Sequence, residues 1–522
     1  MAVGVITELV EGDVYHWGAL MAGALLGSLP VAIIYSFFVE SKTETATMLS
    51  LESRDGIRLC DGLTRREVLR IGGFGLGSLG GLTLPGLLRA ASSRDQSSSA
   101  EGKPPGFGRA KSVIVFCTNG GTAQMDSFDP KPDAPAEVRG AFKPIATSVP
   151  GVFLNEHLPR LAKLQHKTAI LRALHHNQTL HPSAIYLSLC GDLIGRVVTP
   201  ESATISREDK PHFGSVITKL LPVKPDLPGF VMLPEAMGPN GPEWPGQFAG
   251  FLGSAYDPYR LNSKPGEPGY SPGALASDPS LPSVRLGKRR ALLDELGHTA
   301  KRLDAISSTT ALDPHYLKAF DVISSPAAQK AFDVDAEPEE VRERYGKHYF
   351  GQSCLLARRL VESGVRLVQI NWLRSNIGGA GGPGYDTHQN HFSLVQNQLY
   401  PPTDQAFSAL IEDLDQRGLL DETIVIFFNE FGRTPKVNPR GGRDHWPACY
   451  STLLAGGGIK GGAVYGASDK IGAYPASDPV APADTLATIY HLLGIDIETY
   501  LYDNLNRPHK VTKGEPIRAI LA

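Results

Sequence analysis

Cysteine is scarce. Five stand in 522 residues (Cys60, Cys117, Cys190, Cys354 and Cys449), widely spaced and without a CxxC pair. That pattern excludes a disulfide framework and a thiolate zinc knuckle. An excess of either charge is also missing, since 51 Lys and Arg face 54 Asp and Glu for a net charge of -3. A general nucleic-acid binder carries a basic stripe, so nucleic acid is not an expected partner. Nor is the chain short of apolar residues, and a hydrophobic fraction of 42% excludes wholesale disorder. What is plentiful is loop material, with 56 Gly and 40 Pro.

The N-terminal hundred residues read as targeting rather than as fold. Residues 17–39, "WGALMAGALLGSLPVAIIYSFFV", carry no charge and are long enough to span a bilayer. The internal Pro30 is tolerable in such a helix, so membrane contact through this segment is an expectation. The stretch is similar to the last transmembrane helix of sugar-type ABC transporter permeases, without any transport machinery. A second signal follows at Thr64-Arg65-Arg66-Glu67-Val68-Leu69-Arg70, a twin-arginine pattern ahead of a Gly-rich, weakly apolar stretch ending in Ala90-Ala91-Ser92. Such a leader belongs near a start, and Met48 would serve as one. Residues 1–47 are therefore expected to be a fused remnant of a transporter gene, with a genuine membrane tether as the alternative. Residues 48–91 then form the signal and 92–110 a polar linker.

From residue 111 to 522, strand-like and helix-like segments alternate. Short, branched, apolar runs without clean alternation occur at 112–117, 168–171, 229–233, 366–370, 423–428 and 450–454. Strands covered on both faces read this way. Helical periodicity fits 159–165, 289–306, 338–363, 390–416 and 483–493. The alternation predicts an α/β domain with a doubly wound, mostly parallel sheet. Residues 235–285, dense in Gly and Pro, are predicted to form a loop cap over the site.

The polar residues after these strands form one pattern. Asn119 and Asp126 follow the first, and His175, His176, His181 and Ser183 follow the second. Asp386, His388 and His391 follow the 366–370 strand, while Glu430, Asp444 and His445 follow the 423–428 strand in "NEFGRTPKVNPRGGRDHWP". Ligands in open α/β sheets sit outside the carboxyl ends of the strands. Oxygen and imidazole donors without thiolates suit a divalent metal: zinc, calcium, magnesium or manganese.

The segments "CDGLTRREVLRIGG", "DSFDPKPDAPAEVRGAFKPIATSVPG", "LPRLAKL", "YDTH", "NEFGRTP", "GRDHWP" and "LLAGGGIKGGAVYGASDKIGAYP" stand in order from about residue 48 to the C terminus. The chain thereby resembles the exported bacterial family known as domain of unknown function fifteen hundred and one. That family is similar in fold to the alkaline phosphatase and sulfatase superfamily. The resemblance implies an exported, sulfatase-like, metal-dependent hydrolase of phosphate or sulfate esters, periplasmic or in the cell envelope. Its partners would be a small-molecule or glycan ester and, during export, the twin-arginine translocase. The alternative is a metal-dependent envelope or glycan-binding protein without turnover.

The superfamily pattern carries over only in part. Its first-strand metal Asp falls on Asn119, with Asp126 the nearest carboxylate. Leu180 stands where a sulfatase's modified Cys would sit, which leaves Ser183 or Thr179 as nucleophile and His181 as ligand or base. The Asp-plus-His ligand pair maps onto Asp386 and His388. The next pair falls on Glu430 and Phe431, losing one ligand, and the last His maps onto His445 beside Asp444. Arg433 and Arg443 are suited to clamping an anionic group.

Overall fold

The computed structural model describes residues 10–11, 14–15, 104–196, 198–199, 204–238, 243–273, 322–372 and 384–522. The apolar run 17–39, the twin-arginine stretch and the helix expected over 289–306 lie outside the described residues. No helix among the described residues is long and apolar enough to cross a membrane.

All six strands expected from the sequence form. They are β1 (Ser112–Thr118), β2 (Thr168–Leu174), β3 (Phe230–Leu233), β5 (Leu367–Trp372), β6 (Thr423–Asn429) and β7 (Tyr450–Ala455). Two-residue strands β4 (Tyr259–Arg260) and β8 (Val464–Tyr465) close the edges, and both are too short to leave a period in the sequence. The sheet order is β8-β2-β7-β6-β1-β5-β3-β4. Every neighbouring pair is parallel except those made by β7, which runs antiparallel to both β6 and β2. The carboxyl ends of β1, β2, β5 and β6 therefore open onto the same edge.

Both faces are covered, which is why the strands are apolar throughout. On one face Ile114, Phe116, Ile370, Val425 and Phe427 pack against α3 (Tyr349–Ser363) and α4 (Tyr400–Gln416). Phe116 anchors this layer with rings of Phe350, Phe407 and Phe427 at 4.6, 5.1 and 4.9 Å. On the other face Val113, Val115, Ile424 and Ile426 pack against α1 (His181–Cys190), α2 (Phe213–Leu220) and α5 (Pro482–Leu492).

Two of the expected helices are interrupted for local reasons, and the end of the expected linker is held by hydrogen bonds. The segment 338–363 is two helices, Glu339–Tyr345 and α3, because Gly346 takes φ +95° and ends the first. The segment 390–416 enters α4 through a π-turn at Val395–Leu399, just before Pro401 and Pro402. The end of the expected linker is docked rather than free, since Gly108 N–H and Ala110 N–H donate to the carbonyls of His491 and Leu492 at 3.1 and 2.9 Å. Where described, residues 235–273 are irregular apart from two 3-10 turns and β4.

Candidate metal centre

The centre is built by loops leaving four strands at one edge of the sheet. After β1 the chain turns through Gly120, whose φ of +118° is outside the ordinary range of L side chains. A Cβ at Gly120 would collide with the backbone of Asp386, so the glycine lets the loops after β1 and β5 lie against each other. Tyr385 N–H donates to Asn119 O at 2.9 Å and continues that contact. After β6, a short antiparallel ladder pairs Gly432 with Trp446 and Arg433 with His445, which folds the loop back over the site. After β2, the chain enters α1 at His181, with Pro182 in its first turn.

Three imidazoles converge on one carboxylate. His388 Nε2 and His445 Nε2 each stand 3.0 Å from Asp386 Oδ1, and His181 Nε2 is 3.3 Å from Asp386 Oδ2. One ligand atom from each of His181, Asp386 and His445 lies within 4.8 Å of the others. His388 joins them, its Nε2 being 3.1 Å from His445 Nε2. The opposite ring nitrogens all face outward. His181 Nδ1 is 2.9 Å from Glu430 Oε1, His388 Nδ1 is 2.7 Å from Asp444 Oδ1, and His445 Nδ1 is 2.8 Å from the Thr179 carbonyl. Outer acceptors of this kind fix the tautomer and ring orientation of metal-binding histidines.

The donor set fits a divalent cation. With the three rings neutral and each Nδ1–H given to its outer acceptor, the three Nε2 lone pairs and the Asp386 carboxylate would face one space, as a bound cation would require. Glu430 supports the set from below: its Oε1 also accepts from Gly120 N–H at 2.7 Å, while its Oε2 is buried without a hydrogen-bond partner among the described residues. Burial works against charge on Asp386, but Arg433 and the three imidazoles hold its carboxyl far below the usual carboxylate range. Burial also opposes charge on His181, yet its bonds to Asp386 and Glu430 raise it to about 9. His445 is pushed down to about 3, chiefly by burial, and His388 is raised, chiefly by Asp386. The side chains of Asp386 and His388 keep 22% and 25% of their surface, which leaves the centre open to solvent on that side.

The residues singled out in the sequence divide into three groups. His181, Asp386, His388 and His445 form the inner set, and Glu430 and Asp444, expected at the metal site, stand one step out, against the Nδ1 atoms of His181 and His388. Asp126 and Asn119 stand apart from it. Asp126 is buried between Arg443 Nε at 2.6 Å and His391 Nε2 at 3.0 Å, and Asn119 contributes its backbone carbonyl. Ser183 gives its hydroxyl to the Leu180 carbonyl at 3.1 Å, a bond within the first turn of α1.

The expected anion clamp gives way. Arg433 is fully buried, and its guanidinium bonds Asp386 at 2.7 Å, the Arg443 carbonyl at 3.1 Å and the Gly120 and Gly121 carbonyls. Arg443, equally buried, bonds Asp126 and the carbonyls of Val138, Thr434 and Pro435. Both are internal struts with their donors facing protein acceptors. One contributor, Trp244, was not singled out in the sequence, and Thr179, expected as a candidate nucleophile, contributes through its backbone carbonyl. Trp244, from the loop after β3, lies parallel to the His181 ring at 5.6 Å, and the Thr179 carbonyl orients His445. A lone Trp in a Gly- and Pro-rich loop was the available signal for the first, whereas a backbone carbonyl leaves none.

A mostly parallel α/β sheet with an imidazole–carboxylate cluster at its carboxyl edge defines the class of protein. Among solved structures the chain is similar to the phosphonate monoester hydrolase SpPMH from Silicibacter pomeroyi. They share 13% identity and a TM-score of 0.34 over 78% of this chain and 76% of that one. It is also similar to the lipoteichoic acid synthase LtaP from Listeria monocytogenes, with 11% identity and a TM-score of 0.34 over 83% and 81%. The PsFucS1 sulfatase from Pseudoalteromonas sp. gives 12% identity and a TM-score of 0.32 over 80% and 73%. No curated protein matches the chain. The family described as protein of unknown function (DUF1501) matches residues 110–521, and the chain belongs to that family.

Proposed function

We propose that this protein is an exported, metal-dependent hydrolase of phosphate or sulfate esters, with one divalent cation held by His181, Asp386, His388 and His445. The observation that carries this reading is the double orientation of the three rings, each with Nε2 toward Asp386 and Nδ1 on an outer acceptor. Three imidazole nitrogens and one carboxylate suit zinc, whereas calcium and magnesium take shells of oxygen. An ion held there would polarise an ester oxygen and activate water where His181, Asp386 and His445 hold it and the fourth position is left to water or ester. The protein's own residues prepare the place: Glu430, Asp444 and the Thr179 carbonyl hold the rings, and Arg433 balances the charge of Asp386. The part-exposed side of Asp386 and His388 leaves an ester a way in. Export is proposed to follow the twin-arginine route from Arg65 and Arg66.

Elemental analysis of the purified full chain, together with turnover of aryl phosphate and aryl sulfate, tests this. About one zinc per chain with hydrolysis of either ester is expected. A chain that binds no divalent metal overturns the reading. The engagement of the Ser183 hydroxyl within α1 favours a second reading, metal-dependent glycan or envelope binding without turnover. Full zinc occupancy with no hydrolysis would select it.

A further inference from the structure

A second buried polar chain runs beneath the cluster, and the ligand set does not include it. Thr387 stands between Asp386 and His388 in sequence, yet its Oγ1 meets His391 Nδ1 at 2.7 Å. His391 Nε2 meets Asp126 Oδ2 at 3.0 Å, and the same oxygen accepts from Arg443 Nε at 2.6 Å. Arg443 closes the ring, because its backbone N–H donates to the Thr387 carbonyl at 3.1 Å. All four residues are buried, with exposures of 2% for Thr387 and His391 and 0% for Asp126 and Arg443. The ring thus ties together the loops that follow β1, β5 and β6.

It also touches the centre at both ends. Arg443 precedes Asp444, the outer acceptor of His388, and its carbonyl accepts from Arg433 Nη1 at 3.1 Å. Arg433 in turn holds Asp386. A buried ionic ring of this kind is not an economical way to fill a core, since well-packed apolar residues often serve stability as well or better. What it does supply is geometry. Metal sites need their ligands within roughly 0.5 Å of the productive arrangement, and Thr387 has a ligand on either side.

We infer that the Arg443–Asp126–His391–Thr387 ring is the positioning device of the metal centre, setting where Asp386 and His388 stand. The inference rests on the reading of that centre as a metal site. Its test uses Thr387→Val, which keeps shape and removes the hydroxyl, and Thr387→Ser, which restores it, both in the full chain. Zinc affinity is measured by competition with a chromogenic chelator, and the visible absorption of the cobalt(II)-loaded protein reports ligand geometry. Thr387→Val is expected to bind zinc about 10–100-fold more weakly, the usual cost of losing an outer support, and to shift the cobalt bands. Thr387→Ser should return both toward wild type. A valine variant with wild-type zinc affinity and cobalt spectrum, changed only in melting temperature, overturns the inference. Should the valine variant fail to fold, His391→Gln, which keeps a polar group at that position, is measured in the same way and judged by the same outcomes. A wild type that takes up neither zinc nor cobalt removes the metal reading itself, and the inference with it.

Discussion

His388 Nε2 and His445 Nε2 lie 3.1 Å apart, and both are 3.0 Å from the same oxygen of Asp386. Their Nδ1 atoms are engaged elsewhere, on Asp444 and on the Thr179 carbonyl. Groups at that distance repel unless a proton or a cation lies between them, and in the metal-free protein Asp386 favours the protonated rings of His181 and His388.

His445→Ala should therefore lose metal. Removing an outer partner of a metal-binding histidine costs roughly 10–100-fold in affinity, and removing the ligand itself should cost more. Elemental analysis after dialysis is expected to find little zinc, while the metal-free protein keeps its fold. Unchanged metal content with a lower melting temperature would make His445 a packing residue beside Trp446.

The division into inner and outer residues predicts a graded series. Asp444→Asn and Glu430→Gln keep an acceptor oxygen and should weaken zinc binding by about 10–100-fold. His388→Ala and Asp386→Ala should weaken it further. Isothermal titration of the metal-free variants ranks them, and equal losses across the series would return Glu430 and Asp444 to the role of direct ligands.

Arg433→Met should be destabilised whether or not metal is present. The substitution leaves Asp386 without its buried counter-charge and strips the Gly120, Gly121 and Arg443 carbonyls of a donor. Breaking a buried pair from one side costs about 3–5 kcal/mol. Urea denaturation of the metal-free chain measures this. A loss well below 1 kcal/mol would contradict the strut assignment.

A pH effect is expected away from the centre, at His212. This buried ring accepts from Gly214 N–H through Nδ1 at 2.8 Å, pairs with Gln369 Oε1 through Nε2 at 2.9 Å, and stacks on Phe213 and Phe230. Burial pushes it down to about 3, whereas its unfolded reference is about 6.5. Above pH 6.5 neither state carries the proton and His212 contributes no slope. Between about 6.5 and 3 only the unfolded chain binds it, so stability falls as pH falls, by about 1.4 kcal/mol per unit for one proton. His212→Asn keeps a good helix cap and should flatten the urea-denaturation profile between pH 4 and 6 by that slope. His176 and His348, each near 4, act with the same sign and are present in both proteins. An identical slope in the variant would show that His212 is not the group involved.

Much of this was legible in the sequence, for physical reasons. Buried parallel strands must be apolar on both faces, so β1, β5 and β6 stood out, and their common direction put Asp386, His388 and His445 at one edge. The edge strands β4 and β8 have two residues each, too few for any period. The assignment of roles was harder. A carboxylate in a loop can gather several imidazoles, accept from one of them, or pair with an arginine, and only the fold separates Asp386, Glu430 and Asp126 into those three uses. Arg433 and Arg443 show the same limit, since nothing in a Gly-rich loop reveals that a guanidinium turns inward.

The pairing of β1 with β6 has a consequence in time. Ser112 Oγ meets Thr423 Oγ1 across a separation of 311 residues. At a synthesis rate of about 5–20 residues per second, β1 leaves the ribosome roughly 15–60 seconds before its partner exists. Its other neighbour, β5, arrives only somewhat earlier. Until β5 appears, a seven-residue strand has both backbone edges unmatched, a template for pairing with another chain. Correct assembly of this domain thus depends on how its first strand is shielded while the remainder is still being made.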